Sequence, residues 1–305
     1  MASPWKDHPL LPPVLAVVLV SLTGLTVRAQ GTSGPVVSDS KVGYIDSALL
    51  GNLFRFRFDA TYNNRRPNRA DFFYAPSPPF GPGLPVPERS LDYQDLTAYL
   101  ETAWTDRFST FVELPVRFLN PDLNANTAGF ADLNAGFKGV LFQSDASVLT
   151  FQLRTYAPSG NVGRGLGTGH VSLEPALLAY SSLTDRLHLE GELRNWVPLT
   201  NNDFAGDVLR YGIGLGYDLF GHEGRRITPV AELVGWTVLG GKESVVPPSG
   251  PALVQGAGGD TILNAKLGMR VELGHRGDFY AGYGRPLTGD RWYENVFRLE
   301  LRLFY

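Results

Sequence analysis

The chain has 305 residues, 19% of them charged, a formal net charge of −3 and no cysteine. This is room for one large or two ordinary domains, with no charge excess to suit a nucleic-acid partner and no disulfides to supply stability. With 35 glycines, 22 prolines and 12% aromatics, the composition is that of a turn-rich β protein.

The first stretch, Met1–Ala29, carries Lys6, an apolar run from Leu10 to Leu25 broken early by Pro12-Pro13, and Val27-Arg28-Ala29. That order is the pattern of a cleaved secretory signal; a membrane-spanning helix needs about 20 apolar residues. An exported chain is expected.

Beyond residue 50 the signal is period two. In Leu53–Tyr62, Phe54, Phe56, Phe58, Ala60 and Tyr62 share one face, and Arg55, Arg57 and Asp59 share the other. The alternation recurs near 96–104, 112–118, 133–141, 149–154, 187–194, 209–217, 263–273 and 296–305. It is less clean at 171–182, 227–240 and 278–286. Charges fall almost entirely on one parity.

About twelve such segments result, each long enough for a tilted strand to cross a bilayer. Their connections alternate between long and short. Residues 63–92, 120–130, 159–170, 200–206, 241–260 and 287–292 form the long set; 105–107, 144–146, 183–186, 220–226 and 274–277 form the short one. Short periplasmic turns and longer outer loops define a transmembrane antiparallel β-barrel, an all-β fold. A lipocalin-like barrel or a sandwich would turn the apolar parity inward, and the pattern alone does not say which parity faces out. The expected organisation is a signal at 1–29, a periplasmic N-terminal segment at 30–50 and the barrel at 51–305.

The last strand carries Tyr293, Phe297, Leu299, Leu301, Leu303 and Tyr305 on one parity. It resembles the closing strand of bacterial outer-membrane barrels, whose alternating apolar residues and terminal aromatic are read by the outer-membrane assembly machinery. In a closed barrel this strand pairs with Leu53–Tyr62. Arg298, Glu300 and Arg302 then face Arg55, Arg57 and Asp59 as an ion-pair ladder, with Tyr305 at the periplasmic interface.

Gly129–Lys138, Leu153–Gly160 and Gly165–Gly169 together resemble the outer-membrane transporter family linked to the meta-pathway of phenol degradation. The pattern is "G-x-x-D-x-x-x-G-x-K", an apolar strand ending in Pro and Gly, then "G-x-G-x-x". It covers about a fifth of the chain, and the long first loop departs from it. The resemblance implies passage of small, apolar or aromatic molecules, and it brings no catalytic residues.

On the charged parity, Arg117, Arg154, Glu190, Glu192, Arg194 and Glu232 are lumen candidates. Mixed signs favour cross-strand bracing over charge selectivity. Arg154-x-Tyr156-x-Pro158 and Arg194-x-Trp196-x-Pro198 each place a cation below an aromatic and a strand-ending proline, with Trp236 at similar height. Tyr156, Trp196 and Trp236 are therefore either a stacking constriction or an aromatic plug. The first loop brings Arg65, Arg66 and Arg69, either to bind anionic surface sugars, to fold inward as a constriction, or to sit in a solvated loop.

His170, His188, His222 and His275 show no Ser and Asp at matching height, and no His pair has metal-ligand spacing. Neither an enzyme, a cofactor nor a metal is expected. The expected function is an outer-membrane channel or transporter in a Gram-negative-type bacterium. Its partners are membrane lipid, the assembly machinery and a small-molecule solute. The alternative is a structural or surface-interaction barrel with a plugged lumen and ligand-binding outer loops.

Overall fold

The computed structural model describes residues 39–219 and 225–305. The expected signal at 1–29, residues 30–38 and most of the turn at 220–226 lie outside the described residues. The described chain forms β1 (Leu53–Asn64), β2 (Leu91–Thr105), β3 (Phe108–Pro121), β4 (Thr127–Phe130), β5 (Leu133–Gln143), β6 (Ser147–Ala157), β7 (Ser172–Ser182) and β8 (Leu187–Pro198). It continues with β9 (Val208–Tyr217), β10 (Ile227–Val238), β11 (Lys242–Val245), β12 (Leu253–Gly256), β13 (Thr261–Glu272), β14 (Gly277–Pro286) and β15 (Asn295–Phe304).

The main sheet has 13 strands, of which β4 only extends the outer half of β3, leaving twelve that close on themselves. Each barrel strand pairs antiparallel with its neighbours, and β1 pairs with both β2 and β15. All twelve expected segments are strands. The expected seam has the expected register: Arg55 lies opposite Arg302, Arg57 opposite Glu300 and Asp59 opposite Arg298. Closure matters physically, because an open edge would leave backbone donors and acceptors unpaired in lipid. Two elements had no sequence signature, β4 within loop 120–130 and the β11–β12 hairpin within loop 241–260.

The structure settles which parity faces out. Along β13, Lys266 is 4% exposed and the adjacent Leu267 is 64% exposed. Leu96, Leu114, Leu177, Leu193, Ile213, Leu233 and Leu299 are likewise exposed, and Glu101, Lys138, Arg194, Glu232 and Arg270 are buried. A soluble barrel would invert this, so the apolar belt is the lipid-facing surface. Exposed aromatics near the short-turn end, Trp104, Phe108, Phe142, Tyr217 and Tyr305, form the interfacial girdle on that side. Tyr305 sits there as expected, its hydroxyl 2.8 Å from that of Thr102.

Candidate functional site in the barrel lumen

The lumen is occupied by the chain itself. Residues 39–50, expected as part of a periplasmic segment ahead of the barrel, rise inside the wall, and all but Asp46 and Leu50 are buried. The segment climbs from Asp39 and Lys41, paired with Arg302 and Glu272 near the short-turn rim, to Tyr44 at mid-height. It then descends along β6, where Thr150 donates to the Ala48 carbonyl at 2.6 Å, and reaches β1 at Leu53. Both of its ends are at the periplasmic mouth.

Its backbone forms no strand, so charged wall side chains satisfy it instead. Glu190 accepts the amides of Lys41 (2.6 Å) and Val42 (3.3 Å). Glu232 accepts those of Gly43 (3.3 Å), Tyr44 (2.9 Å) and Ile45 (3.0 Å), and Glu192 accepts that of Asp46 (3.2 Å). The carbonyls are met in turn: Arg302 donates to Ser40, Arg270 to Lys41 and Val42, Arg298 to Gly43, and Arg210 to Tyr44. Such charge-assisted bonds contribute about 1.5–3 kcal/mol each, and a buried amide left without one costs about as much. The side chains add Asp46 to Arg154 (2.9 Å) and Arg194 (3.0 Å), and Tyr44 lies under Lys266 (3.6 Å) and Arg298 (4.0 Å).

Strand β9 provides the seat. Its lumen parity reads Arg210, Gly212, Gly214, Gly216 and Asp218, three glycines in alternation. A Cβ on Gly212 would meet Ile45 at 3.1 Å, one on Gly214 would meet Val42 at 2.7 Å, and one on Gly216 would meet Lys41 at 2.9 Å. The side chains of Val42 and Lys41 leave no room for one at Gly214 or Gly216 without a shift, and that of Ile45 leaves little at Gly212. This run is the sequence signal for the buried segment; alternation of apolar and charged residues does not register it, because the three lumen positions between Arg210 and Asp218 are neither.

The outer half is filled from the other side. Loop 65–90 folds inward, with Asn68, Arg69, Ala70, Asp71, Phe73 and Tyr74 buried. Ala70 (φ 52°) and Asp71 (φ 54°) both take the left-handed conformation, about 1–2 kcal/mol each for residues with a Cβ. The turn directs Phe72 edge-on against Trp196 (5.0 Å between centroids) and Trp292 (5.5 Å). Trp236 stacks on Trp292 at 6.5 Å, and Tyr44 of the inner segment belongs to the same apolar cluster. The two insertions therefore meet in one aromatic layer.

The lumen candidates are all on the inner wall, where each has a partner. Arg117 makes two 2.8 Å bonds to Asp95 and stacks 3.8 Å from the Phe73 ring centroid. Arg194 bridges Glu174 and Glu192, and Tyr156 donates to Glu174 at 3.3 Å. Tyr156, Trp196 and Trp236 do share a layer, and Phe72 from the first loop completes it. The arginines proposed for surface sugars are otherwise engaged. Arg65 pairs with Glu294 (2.6 Å) and Arg66 with Asp260 (2.7 Å); Arg69, 1% exposed, lies 3.5 Å from Asp260 and 3.6 Å from Glu243. Arg66 and Arg69 hold the first loop to Glu243 of β11 and to Asp260 just after the hairpin, and Arg65 holds it to the segment before β15; no sequence pattern connects these partners. On β15, Phe297, Leu299, Leu303 and Tyr305 are exposed on the lipid side and Leu301 is half-buried there.

One expectation about the histidines is corrected. Asp71, His170 and Ser172 do come together: His170 Nε2 is 3.1 Å from Asp71 Oδ2, and Ser172 Oγ is 3.1 Å from His170 Nδ1. The array is sealed, with Asp71 and Ser172 at 0% exposure, and Asn202 also donates to Asp71 at 3.3 Å. Burial pushes the Asp71 carboxyl up to about 6 against the opposing pull of His170. It fastens the first loop to β7, across a sequence distance no local pattern encodes.

The three separated pieces of the transporter-like pattern also converge. Asp132 accepts the amides of Gly160 (2.9 Å) and Thr168 (2.9 Å), and the Thr168 hydroxyl at 3.2 Å. A Cβ on Gly167 would sit 2.3 Å from Asp132 Oδ1. The pattern thus builds a loop clasp at the outer rim.

No family model matches the chain, and no curated protein matches it. Among solved structures, it is similar to an outer membrane channel from Pseudomonas putida F1, at a TM-score of 0.55 and 12% identity, covering 89% of this chain and 99% of that one. It is also similar to the β domain of the Bordetella autotransporter BrkA, at 0.50 and 13%, covering 84% and 100%. The shared property is the fold, that of outer-membrane barrels.

Proposed function

We propose that this chain is an outer-membrane channel of a Gram-negative-type bacterium for passive passage of small solutes, closed in this state by two of its own segments. The observation that carries the reading is the nature of the obstruction. The barrel wall does not close the lumen; residues 39–50 and the first loop do, each a loop inserted from one mouth that can withdraw without breaking the wall ladder. Likeness in fold to an outer membrane channel supports it. That the solute is apolar or aromatic is supported by the layer of Tyr156, Trp196, Trp236 and Trp292 on the path. The outward row Phe297, Leu299, Leu301, Leu303 and Tyr305 is the assembly signal in this reading.

Planar-bilayer conductance tests it. Gly43→Val would drive a side chain into the Tyr280 ring, since a Cβ there sits 2.3 Å from it, and Arg69→Ala removes the first loop's buried cation. The doubly substituted chain is expected to give at least tenfold more open current than the unsubstituted one. Adding Trp196→Ala and Trp236→Ala should then raise permeability to small aromatic compounds. A chain that stays silent with both segments released would end the channel reading and leave the structural barrel, which the filled lumen favours.

A further inference from the structure

The inner half of the lumen holds a bent polypeptide segment largely through its backbone. Six successive amides, Lys41 to Asp46, and five successive carbonyls, Ser40 to Tyr44, are bonded to side chains of the wall. These are groups every peptide carries. Side chains add to this: Asp39 pairs with Arg302, Lys41 with Glu272 and Asp46 with Arg154 and Arg194, Tyr44 lies under Lys266 and Arg298, and a glycine is needed where Tyr280 crowds the chain. The slot opens at the periplasmic mouth, where both ends of the resident segment lie, so a ligand entering there has no barrier of wall to cross.

The geometry points to a peptide-binding site for an oligopeptide that enters from the periplasmic side and turns back at mid-height, which residues 39–50 occupy as a tethered competitor. Tethering sets the competition. A short tether gives an effective concentration of order millimolar, so a free peptide binds only when the resident segment is loosened. The inference does not depend on conduction: a barrel that never passes solute would still hold the peptide. Binding is therefore read by fluorescence anisotropy and not by current.

The test uses full-length chains in detergent and a labelled synthetic peptide with the sequence of residues 39–50. Two loosening variants are compared with the unsubstituted chain, Gly43→Val and Val42→Asp. The second places a carboxylate at Gly214, which lies between Glu190 and Glu232 across the β8–β9–β10 ladders. Release is read separately in each background by thiol labelling at Ser47→Cys, a position 6% exposed in a chain with no other cysteine. Expected results are protection and no binding in the unsubstituted chain, and labelling with saturable binding in at least one variant. A peptide N-methylated at the Tyr44 amide should bind at least tenfold more weakly, while one with alanine in place of Asp39, Lys41 and Asp46 should bind more weakly than the native sequence but still saturably. If thiol labelling stays blocked in both variants the segment is a fixed part of the wall, and the inference fails. It also fails if the thiol is freed and no peptide binds, or if N-methylation has no effect.

Discussion

Replacing Glu232 by glutamine isolates the largest single contribution to the inner segment. One carboxylate oxygen accepts from Tyr44 and Ile45, at 2.9 and 3.0 Å, and the other from Gly43 at 3.3 Å. In the amide, one of the two positions becomes an NH2 group. It cannot accept, so at least one backbone donor is left facing a donor, and the surviving bonds lose their charge assistance. Losing one bond outright costs about 1 kcal/mol, and weakening two others brings the total to about 2 kcal/mol. At about 1.4 kcal/mol per factor of ten, local opening of the segment becomes roughly 30 times more frequent. Amide hydrogen exchange followed by mass spectrometry reads this directly: peptides covering 41–46 should exchange about 30-fold faster, with wall strands unchanged. Glu101→Gln is the control, since Glu101 bonds Lys138, Tyr99 and Ser109 on the wall and none of the inner segment. Equal protection of 41–46 in Glu232→Gln and the unsubstituted chain would refute the claim that wall charges retain the segment. So would equal acceleration by Glu101→Gln.

At the seam, Asp59→Asn breaks a two-bond pair with Arg298 (2.7 and 2.8 Å) that joins the first strand to the last, and should cost about 2–4 kcal/mol. The check is a lower midpoint for the heat-induced mobility shift in detergent gels; an unchanged midpoint counts against the ladder. For the first loop, burial raises Asp71 from 3.8 to about 6, so the docked loop binds more protons than the free one between those values. Docking is therefore strongest below about pH 4 and loses about 3 kcal/mol as pH rises through about 6, at about 1.36 kcal/mol per pH unit. A spin label at Val86→Cys should grow more mobile over that window, and Asp71→Asn should abolish the change.

The wall was legible because lipid lies on one side of every strand and water or charge on the other, which imposes period two on twelve segments. The same asymmetry fixed the seam register, since slipping β15 by one residue would turn Arg298, Glu300 and Arg302 into lipid. The contents of the lumen were not legible in that way. Residues 39–50 have no period, because their backbone partners are wall side chains more than 100 residues distant in sequence. Arg66 and Arg69 read as surface cations because their acceptors, Glu243 and Asp260, come from a different loop. His170 appeared isolated for the same reason, with Asp71 almost 100 residues away. Only the glycines of Tyr211–Tyr217 carried a local trace of the inner segment. Three lumen positions without side chains, on a strand otherwise regular, mark space reserved for something else.

Retention by charge also determines what release would leave behind. An apolar plug drawn out of an apolar lumen exposes two oily surfaces to water, and its withdrawal is opposed by about 25 cal/mol for each Å² uncovered. Here the wall groups that hold the segment, Glu190, Glu192, Glu232, Arg210, Arg270, Arg298 and Arg302, are ionisable and hydrate readily once uncovered. Several keep a partner after the segment leaves: Arg298 has Asp59, Arg270 has Asp278 and Glu300, and Arg210 has Glu192. The vacated inner half is then a wet, internally paired pore instead of a collapsed one. Apolar surface is uncovered at both ends of the lumen: Val42, Tyr44 and Ile45 belong to the cluster in which Phe72 packs against Trp196, Trp292 and Trp236, and Ala48 and Leu49 pack on the β6–β7 wall. The two closures are nonetheless separate, so that loosening the inner segment alone should admit peptide from the periplasm while solute still stops where Phe72 remains packed on Trp196 and Trp292.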